Sequence, residues 1–194
     1  MTPALRERLA EAWAALKAGA EPGKSRFSMI YLATIGADGA PKLRTVVIRR
    51  ADEATRAVGF NTDLRSPKAA EIDAEPRISV LGYDMEAGLQ VRLEGMATLH
   101  RSGPAHAAAW AASAARSRVC YRHAYAPGAP LGDPAAGDPT EAMREPDDPG
   151  EGLANFGAVD VTVERIDLLD LANTGHRRAV FAWDEGWRGS WVAP

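Results

Sequence analysis

Hydrophobic residues recur along this chain with two periods, and each period predicts a different kind of element. Leu5, Leu9 and Trp13 recur at helical spacing, and Thr2 followed by Pro3 forms a helix start signal, with the hydroxyl as N-cap and proline at the first helical position. We therefore predict an N-terminal amphipathic helix that ends at the first glycine.

Most of the other apolar runs are short and resemble strands. Residues 89–99 alternate apolar with polar side chains, as a half-buried strand does, and residues 37–40 have the composition of a hairpin turn. The predicted strands are 28–35, 42–50, 58–62, 77–83, 89–99, 157–166 and 176–183. Short strands in this number favour a mainly β fold, an antiparallel barrel with peripheral helices, over a parallel α/β sheet.

Two further helices and one long loop complete this interpretation. Ser66 and Pro67 form a start signal for a short helix over 68–74, and the alanine-rich stretch 104–118 is also helical in character. Residues 126–150 hold six prolines, four glycines and six acidic residues, which predicts a loop. The tail contains three tryptophans, Trp183, Trp187 and Trp191, that we expect to close the barrel. A chain of 194 residues, 1–194, is expected to form one domain.

Composition excludes several classes of function. The formal net charge is −3, so the chain has no basic excess for binding nucleic acid or an anionic membrane. A single cysteine, Cys120, cannot form an internal disulfide, and no Cys and His residues lie at zinc spacing, so we expect no metal. The opening segment is amphipathic and charged, with no basic stretch followed by an apolar core, so we expect neither a signal peptide nor a membrane span, and the expected location is the cytoplasm.

Charged side chains within an apolar strand are the first candidates for a binding site. Arg44, Arg49 and Arg50 lie in an otherwise apolar strand, where a buried guanidinium needs an anionic partner. Either they reach water at the strand ends and pair with nearby acids, or they bind an anionic ligand. Thr62, Ser66 and Lys68 surround the start of the predicted short helix, which is typical of a phosphate site but also of an ordinary capped helix with a solvated lysine.

The order and spacing of these segments resemble the pyridoxamine 5′-phosphate oxidase family. The segments that carry the resemblance are 44–49, 61–62, 66–68, 76–80 and 89–95, with a second patch at 175–179. The resemblance implies a split β-barrel that binds FMN, works as a homodimer and acts on a small molecule. In that family the residues matching Arg44 and Lys68 grip the FMN phosphate, and the strand after Arg44 runs along the flavin.

The resemblance also assigns individual residues. The cofactor-binding residues are Arg44, Thr45, Val46, Val47, Ile48, Arg49, Asn61, Thr62, Ser66, Pro67, Lys68, Gln90 and Arg178, and the substrate contacts are Arg49 and His176. A tyrosine of the family is Asn61 here, a phosphate-binding arginine is Pro67, and a tryptophan is Leu168. The family's substrate-binding Tyr, Arg and Ser have no aligned counterparts over 100–110.

We therefore expect an FMN-dependent oxidoreductase of unknown substrate that is a poor pyridoxamine 5′-phosphate oxidase. No catalytic side chain is assigned, because the flavin itself carries out the redox chemistry. Two alternatives remain: a flavin-binding carrier or redox sensor without turnover, and a related barrel that binds haem or a deazaflavin.

Overall fold

A computed structural model describes residues 1–23, 25–138, 143–144, 148–172 and 175–194. In these ranges the α-helices are α1 (Pro3–Ala20), α2 (Pro67–Ala74), α3 (Gly103–Ala112) and α4 (Ala115–Arg122). The strands are β1 (Met29–Ile35), β2 (Pro41–Asp52), β3 (Ala57–Asp63), β4 (Arg77–Asp84), β5 (Leu89–His100), β6 (Phe156–Asp170), β7 (Arg177–Trp183) and β8 (Trp187–Val192).

Strands β1 to β6 form a closed antiparallel barrel in the order β3-β2-β1-β4-β5-β6, and pairing of β3 with β6 closes it. The long strand β6 pairs with two strands in succession. Phe156 at one end pairs with Asp63 of β3, which closes the barrel, and Asp170 at the other end pairs with Arg177 of β7. The β7–β8 hairpin therefore extends the sheet outside the barrel. The predicted fold class is confirmed.

The hydrophobic core fills the barrel and continues beneath α1. Trp13 and Phe60 are fully buried, as is Leu32 on β1. Burying a side chain of this size contributes about 1.5–3 kcal/mol relative to exposure. The predicted start of α1 is confirmed, because the Thr2 hydroxyl accepts a hydrogen bond from the Leu5 amide.

The predicted alanine-rich helix is two helices. Ser113 ends α3, where its amide donates to the Trp110 carbonyl and its hydroxyl donates to the Ala109 carbonyl. The Arg118 guanidinium also donates to the Trp110 carbonyl. These bonds satisfy the last carbonyls of α3, so the chain can leave the helix and begin α4.

Three other expectations need correction or restriction. Ser66 precedes α2, but its side chain makes no capping bond. The tail forms β8, a strand absent from the predicted set, and Trp183 and Trp187 pack edge to face in the hairpin outside the barrel, so they do not close it. In the predicted loop 126–150, the described residues form turns and a short 3₁₀ helix, Pro134–Gly137, while 139–142 and 145–147 lie outside the described residues.

Over the described ranges, no helix combines the length and the apolar character that crossing a membrane requires.

Candidate functional site

Two cations and two hydroxyls meet at one end of the barrel, next to α2, and we call Arg44, Thr62, Ser66 and Lys68 the anion cradle. The Lys68 ammonium donates to the Thr62 hydroxyl at 3.3 Å and to the Ser66 hydroxyl at 3.2 Å. Those two hydroxyl oxygens lie 3.2 Å apart, and both residues are buried. The Ser66 hydroxyl makes no capping bond to α2; it donates to the Asp63 carbonyl at 2.6 Å, and its oxygen accepts from Lys68.

The electrostatics of the cradle favour an anion. Burial lowers the pKa of the Lys68 ammonium, and the nearby Arg44 guanidinium lowers it further, against the opposing effect of Asp63 and Glu71. A partly desolvated ammonium beside a second cation is stabilised when a negative group binds between them. The cradle therefore has the charge and the donors of a phosphate site.

Arg44 is held in place by residues that the sequence analysis did not single out. Its guanidinium donates to the Thr34 hydroxyl, to the Lys42 carbonyl at 3.3 Å and to the Glu71 carboxylate at 2.6 Å. The Thr34 hydroxyl donates to the same Glu71 oxygen at 2.5 Å. Glu71 stands three residues after Lys68 on α2, so helical spacing alone could have placed it near the cradle.

On the outer side of β2 and β3 lies a cavity of about 590 Å³. Arg49, Arg50 and Asn61 line one wall, and the alanines of α3 line the opposite wall. The pairing of β2 with β3 shifts between Ile48 and Arg50, so a bulge at Arg49 places two consecutive arginines at the cavity. Alternation along a regular strand would have put them on opposite faces.

Neighbouring residues fix one of the two arginines. The Arg50 guanidinium donates to the Asp160 carboxylate at 2.9 Å and to the Asn61 side-chain oxygen at 3.0 Å. A Cβ at Gly59 would lie 2.6 Å from Arg50 Nε, so the glycine is what allows Arg50 to lie across β3. Asn61 in turn donates to the Ser113 hydroxyl at 3.1 Å.

The other arginine faces the cavity together with a residue that the sequence analysis missed. Arg49 and Arg116 both line the cavity and are exposed, and neither forms a hydrogen bond or an ion pair with the described residues. Arg116 is the second residue of α4, far from Arg49 in sequence, and no local pattern links the two.

A second polar cluster lies on the outer face of β5, β6 and β7, and we call Arg92, Asp167 and Arg178 the arginine pair with its carboxylate. Arg178 donates to Asp167 through Nε at 2.9 Å and Nη2 at 2.7 Å, and Arg92 donates through Nη2 at 2.8 Å. The Asp167 side chain is 3% exposed. The hydrogen bond from Arg178 holds the pKa of this carboxyl below its usual value although burial opposes it.

Within one chain, the two clusters lie on different parts of the barrel. Thr45 on β2 aligns through Tyr31 and Leu81 with Arg92 on β5, three strands away. At about 4.8 Å per strand, that separation is about 14 Å. Gln90 shares the outer face of β5 with Arg92, and the exposed His176 directly precedes β7.

The structure thus brings together some of the predicted site residues and separates others. Arg44, Thr62, Ser66 and Lys68 form the cradle, and Val47, Ile48, Arg49 and Asn61 line the neighbouring cavity. Thr45 is exposed beside it, Val46 and Ile48 are buried on the core side, and Pro67 is exposed at the first turn of α2. Gln90, Arg178 and His176 lie with the second cluster.

An apolar surface separates the two clusters. On the outer face of β1, β2, β4 and β5 the exposed large hydrophobic side chains are Met29, Tyr31, Ile35, Leu43, Val47, Tyr83 and Met96, with Thr45, Arg77 and Glu94 exposed among them. Leu43 is 70% exposed and Met29 is 64% exposed. We call this surface the apolar face. Contiguous apolar surface of this kind marks an interaction site in proteins of this size.

Within the described ranges, no group of three or more His, Cys, Asp or Glu residues could hold a metal ion.

Comparison with known proteins identifies relatives in sequence. Residues 10–101 match the family model described as pyridoxamine 5′-phosphate oxidase, FMN-binding domain. Pyridoxine/pyridoxamine 5′-phosphate oxidase 2 of Arabidopsis thaliana is 30% identical over 155 residues, which are 76% of this chain and 75% of that protein. The oxidase of Burkholderia multivorans is 42% identical over 64 residues, which are 33% of this chain and 29% of that protein.

Solved structures extend the similarity over the whole chain. A pyridoxamine 5′-phosphate oxidase-related, FMN-binding protein from Nostoc punctiforme superposes with a TM-score of 0.78 at 25% identity, covering 100% of this chain and 99% of that one. PhzG from Burkholderia lata, solved with tetrahydrophenazine-1-carboxylic acid, has a TM-score of 0.71 at 20% identity, covering 98% and 91%. The second similarity concerns the fold alone.

Proposed function

This chain belongs to the pyridoxamine 5′-phosphate oxidase family of FMN-binding proteins, and from that premise we propose that it is an FMN-dependent oxidoreductase for a small-molecule substrate. We propose further that residues 1–194 form one domain and that two copies of the chain form the functional unit. The observation that carries the proposal is the anion cradle.

The residues of the cradle fit the FMN phosphate. Arg44 and Lys68 supply two positive charges, and Thr62 and Ser66 supply two hydroxyls, at a point where burial already lowers the pKa of the lysine. Glu71 occupies one edge of Arg44, and Pro67 supplies no donor where the family has an arginine. The cradle therefore meets the phosphate with two cations, one fewer than the family pattern, and one of the two, Arg44, is also paired with Glu71.

The rest of the cofactor would extend along the outer side of β2, past Thr45 and Val47. Val46 and Ile48 point into the core, so they would contribute main-chain contacts only. When bound, FMN supplies the hydride or electron transfer. The protein's own part is to hold the phosphate, exclude water from the ring and position the substrate.

A homodimer is supported by the separation of the two clusters. Gln90 lies on β5, about three strands from Thr45 beside the cradle of its own chain, and Arg178 and His176 lie further along the sheet, so we propose that these residues serve the flavin of a second copy. The apolar face lies between the clusters and is suited to such contact. An obligate interface is expected to bury about 2,000 Å² or more.

The cavity beside β2 is the proposed substrate site. Arg49 and the partner's copy of the histidine at 176 are the proposed substrate contacts. Residues 100–110 contain no counterparts of the family's substrate-binding Tyr, Arg and Ser. We therefore propose a substrate other than pyridoxamine 5′-phosphate. Oxygen consumption with pyridoxamine 5′-phosphate is expected to be slow at micromolar substrate. A Michaelis constant at the micromolar end of the usual enzyme range would contradict this expectation and would point to Arg116 as the replacement donor.

The direct test of the proposed function is the ligand that the purified protein binds. We expect a flavin absorption spectrum, and tighter binding of FMN than of riboflavin because only FMN carries the phosphate. Equal affinity for FMN and riboflavin would contradict the cradle assignment. Flavin that is reduced and reoxidised without dependence on any substrate would identify a carrier or redox sensor, and a haem spectrum would exclude the flavin site altogether.

A further inference from the structure

Arg92 has no role assigned by the sequence motifs, yet it shares a carboxylate with Arg178. The Asp167 oxygen Oδ2 accepts from Arg92 Nη2 at 2.8 Å and from Arg178 Nη2 at 2.7 Å. Asp167 is nearly fully buried in the sheet surface, whereas the two arginine side chains are 40% and 31% exposed. The carboxylate therefore fixes both guanidinium groups and leaves them facing outward.

The cluster keeps an excess of positive charge and unused donors. Arg92 and Arg178 share the Asp167 carboxylate, and Arg92 also forms a looser ion pair, at 3.8 Å, with Glu94. Arg165 approaches the same Glu94 carboxylate at 4.0 Å, so in this group three arginines face two carboxylates. Within the described residues, Nη1 of Arg92 and Nη1 of Arg178 form no hydrogen bond. Donors that are exposed, oriented and charged are suited to an oxygen-rich or anionic ligand edge.

The position of the cluster indicates which ligand it meets. Arg92 lies in the same cross-strand row as Leu81 and Tyr31, so the arginines adjoin the apolar face directly. A second copy that covers this face would bring its own cradle and cavity toward them. Gln90, two residues before Arg92 on the same outer face of β5, lies beside them and adds an amide.

We propose that Arg92, held by Asp167, is a further cofactor-binding residue that acts with Arg178 on the flavin ring bound by the partner chain. This inference rests on the proposed function. The pyrimidine end of a flavin carries two carbonyl oxygens and becomes more electron-rich on reduction, whereas the opposite end is a dimethylbenzene. Guanidinium donors match the pyrimidine end, so the contact is with the ring and not with the phosphate.

The test is flavin binding by Arg92→Ala, with Arg165→Ala as the matched control. Arg165 is a partly exposed arginine on the same outer face, in the neighbouring strand, and forms a 4.0 Å ion pair with Glu94. Its charge helps to lower the pKa of Asp167, but unlike Arg92 it donates no hydrogen bond to that carboxylate within the described residues. Fluorescence titration should show that Arg92→Ala weakens FMN and riboflavin by the same factor, about tenfold, while Arg165→Ala changes neither by more than about twofold. Arg92→Lys should recover part of the affinity, because it restores the charge without the planar fork.

Three additional readouts separate this role from a structural one. Light scattering should give the same oligomeric state for both variants, and the visible absorption of residual bound flavin should shift only in Arg92→Ala. Asp167→Asn should also weaken both flavins, since it releases both arginines. If Arg92→Ala binds both flavins as tightly as Arg165→Ala does, the inference is wrong.

Failure of the inference is distinguishable from failure of the proposed function. If the wild-type protein binds no FMN, or if Arg178→Ala leaves FMN binding unchanged, the site itself is wrong, and the role of Arg92 falls with it. If the wild-type protein and Arg178→Ala behave as proposed while Arg92→Ala has no effect, only Arg92 is excluded. A larger loss for FMN than for riboflavin would place Arg92 at the phosphate and contradict the ring assignment.

Discussion

The anion cradle and the arginine pair with its carboxylate are both built from cations, but they are organised in different ways. Three of the four cradle residues lie between 62 and 68, and its two hydroxyls are buried against Lys68. The second cluster joins β5, β6 and β7 on an exposed face, and Arg92 is 75 residues from Asp167 in the chain. One cluster is a compact set of cations and hydroxyls that suits a small anion, whereas the other is a surface that suits a ligand placed against it.

This contrast explains why the anion cradle and the arginine pair with its carboxylate suit different parts of FMN. A phosphate needs converging donors in a small desolvated volume, which a strand end followed by a helix start provides. A flat ring needs donors at its edge and an apolar surface nearby, which a sheet face provides. We infer that the cofactor site is divided between two chains along this line.

The largest expected effect is loss of phosphate binding in Arg44→Ala. Removing a charged hydrogen-bonding partner should weaken FMN by about 1.5–3 kcal/mol and leave riboflavin almost unchanged. Lys42→Ala is the control, because Lys42 lies on the same strand but pairs with Asp38 outside the cradle. Titration by flavin fluorescence measures both ligands. An equal loss for FMN and riboflavin would mean that Arg44 does not contact the phosphate.

The next effect concerns the apolar face. Leu43→Glu places a charge on this face, and because Leu43 is 70% exposed in the single chain, the substitution should leave the fold intact. We expect a monomer by light scattering and FMN affinity reduced about tenfold, since the second half of the site is lost. Met85→Glu is the control, because Met85 is 81% exposed in the turn between β4 and β5. A Leu43→Glu dimer with normal FMN binding would exclude this face as the interface.

The same contrast decides how much of each cluster can be predicted from the sequence. Thr62, Ser66 and Lys68 are close in sequence, but that segment alone also suits an ordinary capped helix, and the family resemblance is what joined it to Arg44 as a phosphate site. The position of Glu71 could have been inferred from helical spacing, whereas its bond from Arg44, the bulge at Arg49 and the approach of Arg116 to the cavity depend on packing between distant segments. Asp167 was overlooked for a related reason: in a strand sequence, a buried carboxylate is indistinguishable from an exposed one.

A smaller effect is expected from pH. Burial and Arg44 lower the pKa of Lys68 below its usual value of 10.5, so its ammonium loses its proton earlier than that of an exposed lysine as pH rises. A phosphate binds the protonated form, so FMN affinity should fall as the pH rises toward 10.5. Riboflavin carries the same ring and controls for ionisation of the flavin, and Lys68→Arg should remove most of the pH dependence because arginine stays protonated. A parallel decline for FMN and riboflavin would contradict a role for Lys68 at the phosphate.

The division of one cofactor site between two chains is tested most directly by a mixed dimer. A chain with Arg44→Ala has a damaged cradle and an intact second cluster, and a chain with Arg178→Ala has the reverse. Each variant alone should bind FMN weakly at every site. A purified heterodimer of the two should regain one site of wild-type affinity, formed by the cradle of one chain and the second cluster of the other. If the heterodimer binds FMN no more tightly than the two variant homodimers, the site is not shared between chains.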